Sequence, residues 1–185
     1  MTAAVLSMQM GKGTEMKLKK YLKEAAEDVA LGLLITGMLF GAVKINAAGA
    51  DTDLPEEYQQ YCEEIGQAYG ICPELLEAVI ETESGGDPDA VGSLGEIGLM
   101  QIYPKYHMNR AESLGVYSLF APHGNILVGA DYLAELFREY QDVGTVLMVY
   151  NGTEDAVELG GQGEYTEYAR QIMKRSEQLE RMHKK

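Results

Sequence analysis

The chain predicts a compact, mostly α domain with a small irregular or β insert, and three observations carry that prediction. Apolar residues recur at helical spacing in several separate stretches. Prolines and glycines fall where those stretches begin and end. One run, Asp87 to Gly98, abandons the period for turn residues (Pro88, Gly92, Ser93, Gly95). Hydrophobic residues are 46% of the 185, enough to build a core.

An amino-terminal leader, residues 1–50, precedes the domain. Val29 to Val43 carries no charged residue, Lys17, Lys19, Lys20 and Lys23 stand before it, and Ala48-Gly49-Ala50 comes after it. A basic stretch, an apolar stretch and a small-residue site make a secretory signal. A retained membrane anchor is the alternative, since Lys44 can snorkel from the end of a short span. On either reading the positive-inside rule places the remainder of the chain outside the cytoplasm, secreted or anchored. Residues 51–54 form a polar linker, and residues 55–185 form the domain.

Charge divides the same way. Up to Ala50 there are six Lys against four acidic residues; from Asp51 onward nine Lys and Arg stand against 25 Asp and Glu. A domain this acidic repels phosphate backbones, which excludes nucleic acid as a partner. Outside the cytoplasm Cys62 and Cys72 are expected to form a disulfide, two buried free thiols being the alternative. The cysteine spacing is not a zinc pattern and the three His residues are scattered, so no metal or cofactor is implied.

The helices can be placed in order. Pro55 opens one that runs to about Ala68, with Gly70 ending it. Pro73 opens the second, stopped by Gly85-Gly86. After the insert and the apolar run Ile97 to Ile102, helix resumes near Lys105. Asn125 to Tyr140 and Val143 to Tyr150 are helical, Asn151 to Gly163 is a glycine-rich loop, and Glu164 to about Met182 is the last helix.

The second helix holds the residue that points to chemistry. Leu75, Leu76, Val79 and Ile80 form its apolar stripe, while Glu74, Glu77 and Glu81 step along the opposite face. The next position of the stripe is Glu83. A carboxyl held against apolar groups keeps its proton to higher pH, because desolvation penalises the charged form. That makes a general acid. Geometry alone leaves the other reading open, a glutamate that swings out to water at Gly85.

Further along come Gly98-Leu99-Met100-Gln101-Ile102 and Pro104, then Asn125 and Gly129, then Tyr150-Asn151-Gly152, then Tyr165-Thr166-Glu167-Tyr168. With Glu83-Ser84 at their head, these elements resemble, in order and spacing, the catalytic domain of soluble lytic transglycosylases, which share an α+β lysozyme-like fold with goose-type lysozymes. The resemblance spans about Tyr58 to Met173. It implies Glu83 as the single catalytic acid and Ser84 as a support of the site's geometry. Gly98, Leu99, Met100 and Gln101 would line a sugar cleft, Met100 with an adaptable apolar surface and Gln101 with its amide, plain core being the other reading for Leu99 and Met100. Tyr150 and Asn151 would stand on the far wall, and Tyr168 would reach toward the acid. Asn125 and Gly129 are read as serving helix start and close packing.

The resemblance implies a substrate, the glycan strands of peptidoglycan, and a bond, the β-1,4 linkage from N-acetylmuramic acid to N-acetylglucosamine. Glu83 would serve as acid and then as base, giving 1,6-anhydro ends. Members of the family usually carry a small residue where this chain has Glu96. A second carboxylate there opens an alternative, lysozyme-type hydrolysis of the same bond. A third reading is an inactive glycan-binding or scaffold module, held in an envelope-spanning machine by residues 29–43.

Overall fold

Four of the five prolines stand at helix starts (Pro55, Pro73, Pro104, Pro122), where a fixed φ suits the first turn and the missing N–H costs no hydrogen bond. The computed structural model describes Thr52 and residues 54–183. The leader, with its 29–43 segment and the reading of it as signal or anchor, lies outside the described residues. Among the described residues no helix is long and apolar enough to cross a membrane.

The helices are α1 (Glu56–Tyr69), α2 (Pro73–Glu83), α3 (Pro104–Ser113), α4 (Pro122–Tyr140), α5 (Val143–Tyr150), α6 (Ala156–Gly161) and α7 (Glu167–His183). Gly70 ends α1 in the left-handed conformation, φ 68°, as a C-capping glycine does. Asp142 caps α5, its carboxylate accepting from the Thr145 N–H at 2.7 Å.

α4 carries the longest buried face, with Ile126, Val128, Ala130 and Leu133 fully covered. α1, α3 and α5 pack against it, and α2 is held between α1 and α7. The α2–α7 contact includes a two-point ion pair: Arg175 Nε and Nη2 donate to Glu81 at 2.6 and 2.9 Å. Thr52 Oγ1 donates to the same carboxylate at 2.8 Å.

Several expectations need correction. The insert between α2 and α3 is irregular, as expected, but it contains no strand; antiparallel bridges join Val91 to Ile97 and Ile97 to Ile102 singly. Gly95 and Gly98, at φ 90° and 75°, turn the chain away before a ladder can extend. The stretch 151–163 is not a loop throughout, since α6 lies within it. Its glycine serves close approach: a Cβ on Gly160 would lie 1.8 Å from Thr145 Oγ1 on α5. Glu77 is not on an open face. It is 2% exposed, because α7 covers the side of α2 that the stripe left polar. Finally, Cys62 and Cys72 are free thiols. Cys62 points into the core, while the Cys72 thiol donates to Glu74 Oε2 at 2.9 Å.

Candidate active site

Glu83 is the last residue of α2, half-buried, with its carboxyl turned toward α7. Continuing the stripe of Val79 and Ile80 brings it to the edge of the core, and α2 ends before the chain can carry it to solvent. The Tyr168 hydroxyl, from the first turn of α7, donates to Glu83 Oε1. Burial pushes the Glu83 carboxyl up to about 7; the Tyr168 hydrogen bond pulls against this, and the negative charge of Glu96 adds to it. A carboxyl at that level is half protonated near neutral pH, so it can give a proton and take one back.

Ser84 ties the end of α2 to the segment 97–102. Its hydroxyl donates to Leu99 O at 2.9 Å and accepts from the Gly86 N–H at 3.2 Å. On the other side of that segment Tyr150, at the end of α5, donates its hydroxyl to Met100 O at 2.8 Å. Glu83 lies close enough for its charge to raise the Tyr150 phenol, though burial is the larger cause. Behind Tyr150, Tyr132 of α4 packs at 5.4 Å between ring centres, and His107 of α3 packs on Tyr132 at 4.5 Å. Burial holds His107 down at about 4, so a neutral imidazole backs this wall.

Glu83, Ser84, the 98–101 backbone, Tyr150 and Tyr168 are thus gathered in one place. For two side chains the structure selects the core over the cleft. Leu99 and Met100 are fully buried; what they offer the site is their carbonyls, not an apolar lining. Met100 packs on Gly129, where a Cβ would lie 2.5 Å from its sulfur, so the close packing read from Gly129 is real. Gln101 turns its amide inward, Nε2 donating to Gly98 O at 2.9 Å and to Ala90 O at 3.4 Å. Its φ of 46° is a strained value for a non-glycine residue. Asn151 is the half-buried C-cap of α5, next to Tyr150. Glu96 Oε2 accepts the Leu94 N–H at 3.0 Å and so closes its own turn.

Asn125 is the residue the sequence undervalued. Its fully buried amide accepts from the Met100 N–H at 2.8 Å and donates to Ile97 O at 2.8 Å and Leu119 O at 2.7 Å. The signal in the sequence was a primary amide among apolar neighbours, which must find partners inside. Among the described residues no group of His, Cys, Asp or Glu could hold a metal ion.

Comparison with known proteins adds three findings. Residues 60–172 match the family model of the transglycosylase SLT domain. A transglycosylase of Enterobacteria phage PRD1 is 41% identical over 96 residues, half of this chain and 35% of that protein. The endo-type membrane-bound lytic murein transglycosylase A of Klebsiella pneumoniae is 36% identical over 87 residues, 43% of each chain. This chain therefore spans well under half the length of the curated relatives it matches. Among solved structures, the 70 kDa soluble lytic transglycosylase of Escherichia coli superposes with a TM-score of 0.59 at 18% identity, covering 70% of this chain and 25% of that one. An inactive glutamate-to-glutamine mutant of the lytic transglycosylase Slt from Pseudomonas aeruginosa gives 0.55 at 17% identity, covering 66% and 24%. These last two show the shared fold. With the family model matched over more than half of its residues, the chain belongs to the transglycosylase SLT domain family.

Proposed function

We propose that this protein is a peptidoglycan lytic transglycosylase, acting outside the cytoplasm, with Glu83 as its acid and base. The observation that carries the reading is the hydrogen bond from Tyr168 to a carboxyl whose burial raises it to about 7. The names of the relatives support the substrate, one being a lytic murein transglycosylase.

In the proposed reaction Glu83 gives its proton to the oxygen leaving the anomeric carbon of N-acetylmuramic acid. The substrate's own acetamido oxygen shelters the positive charge that develops there. Glu83, now ionised, takes the proton of the muramyl 6-hydroxyl, and that oxygen bonds to the anomeric carbon. The products are a 1,6-anhydro end and a free 4-hydroxyl on N-acetylglucosamine, and Glu83 is protonated again. The ring supplies its own nucleophile, so no second carboxyl is needed to hold a water, and positioning contributes several kcal/mol, on the order of 7–11 at best. Glu96 is occupied by the Leu94 N–H, which fits a loop brace rather than a water holder.

Digestion of purified peptidoglycan with the full chain, then borohydride reduction and mass spectrometry, tests the reading. Anhydromuramic ends are expected. Reducible muramic acid ends would replace the transglycosylase by a hydrolase. An E83Q variant that clears cell walls as fast as wild type would remove Glu83 from the chemistry.

A further inference from the structure

We propose that Asn125 is a positioning residue for this site, a buried side chain that sets where both walls meet the catalytic helix. Its kinetic consequence rests on the transglycosylase reading, and its substance rests on geometry.

The segment 97–101 is the shared partner of the catalytic elements. Leu99 O receives the Ser84 hydroxyl and so fixes the end of α2, next to Glu83. Met100 O receives the Tyr150 hydroxyl and so fixes the end of α5. Yet this segment has no strand ladder, only the isolated bridges Val91–Ile97 and Ile97–Ile102 and the Gln101 amide on Gly98 O and Ala90 O. Left to itself such a turn opens easily.

Asn125 replaces the missing ladder. It takes the Met100 N–H and gives its two amide hydrogens to Ile97 O and Leu119 O. These contacts bracket Gly98, and the fit leaves no room there: a Cβ on Gly98 would lie 2.5 Å from Asn125 Nδ2 and 2.6 Å from Leu119 O. Gly98 also holds φ 75°, which other residues resist. Asn125 stands in the first turn of α4, the helix with the longest buried face, so the turn is referenced to the rigid centre of the fold. Only a primary amide both accepts once and donates twice from one planar group. Aspartate has the same shape, but its ionised form would face two carbonyl oxygens with no hydrogen to offer.

The test uses the full chain. N125A and N125D are compared with L136V, a cavity variant farther along α4 that touches none of these atoms. Tm is measured for each, with kcat and KM on a soluble glycan oligomer and the titration of the Glu83 carboxyl by carbon NMR. Both Asn125 variants are expected to lose about tenfold or more in kcat with KM changed less than about twofold. L136V is expected to lose Tm and keep kcat. The Glu83 carboxyl should titrate lower in N125A, which adds no charge, because a loosened turn admits water and reduces its desolvation. If N125A does not fold, N125S, which keeps one donor and one acceptor on a shorter reach, takes its place. A kcat for N125D equal to that of L136V, or a Glu83 titration unchanged by N125A, overturns the inference. If wild type cleaves nothing, the transglycosylase reading falls, and the Glu83 titration still decides the role of Asn125.

Discussion

Tyr168 and Glu83 are 85 residues apart in the chain and share a hydrogen bond in the fold, the phenol donating to Oε1. The bond exists because α7 lies along α2, and the Arg175–Glu81 ion pair fastens the same two helices. A proposed acid on one helix and its hydrogen-bond donor on another make the site sensitive to how those helices are held.

Replacing Tyr168 with Phe should lower kcat about ten- to hundredfold, since the carboxyl loses its orientation. The pH profile should move as well. The lost hydrogen bond favoured the carboxylate, so Glu83 holds its proton to higher pH and the alkaline limb, near 7 in wild type, shifts upward. A profile of unchanged position would show that Tyr168 is merely packed there.

Glu96 should act with the opposite sign. Its charge raises the Glu83 carboxyl, so E96Q should move the alkaline limb downward while the ends remain anhydromuramic. Reducible ends in wild type that vanish in E96Q would mark Glu96 as the holder of a water.

The helical plan was largely legible in the sequence, and the apolar stripe marked Glu83 as a carboxylate at the edge of the core, while its reading as an acid came from the family resemblance. The family resemblance added Ser84, Tyr150 and Tyr168. What could not be read was which faces are covered twice. An apolar stripe identifies one buried face; α2 has helices on two sides, so Glu77 looked solvated and is not. The resemblance put Leu99 and Met100 in a segment that would line a cleft, whereas backbone direction, not composition, turns their side chains into the core. The glycines of 151–163 signal a loop and a close helix contact equally well.

Arg175→Ala should cost about 1–3 kcal/mol, between the values for exposed and buried ion pairs, because both partners are about three-quarters covered. Thermal unfolding checks this. A fall in kcat is also expected, larger than for a core variant of equal Tm, since α2 and α7 carry Glu83 and Tyr168.

The cysteines give a separate test. Burial pushes the Cys72 thiol up to about 11 and raises Cys62 further. A thiol reagent at pH 8 should therefore modify Cys72 slowly and Cys62 only on unfolding. Added reductant should leave Tm unchanged. A Tm that drops with reductant would restore the disulfide.

Glu77, buried against α7 with Oε2 unpartnered, has a carboxyl raised to about 7, chiefly by burial. E77Q removes the titration without changing the shape, so the variant should gain stability over wild type at pH 8 and much less at pH 5. Melting curves at the two pH values read the difference, and equal gains would count against a buried ionisation.

α2 thus bears two carboxyls, Glu77 and Glu83, that both rise from 4.5 to about 7 on folding. Between those values the folded chain binds protons that the unfolded chain has released, so its stability falls as pH rises across the window. Refolding in this range is a proton-consuming process and unfolding a proton-releasing one. The proposed reaction needs Glu83 protonated in the same interval. Under that proposal one helix couples the protein's resistance to unfolding and its turnover to a single environmental variable, and acidity sustains both together.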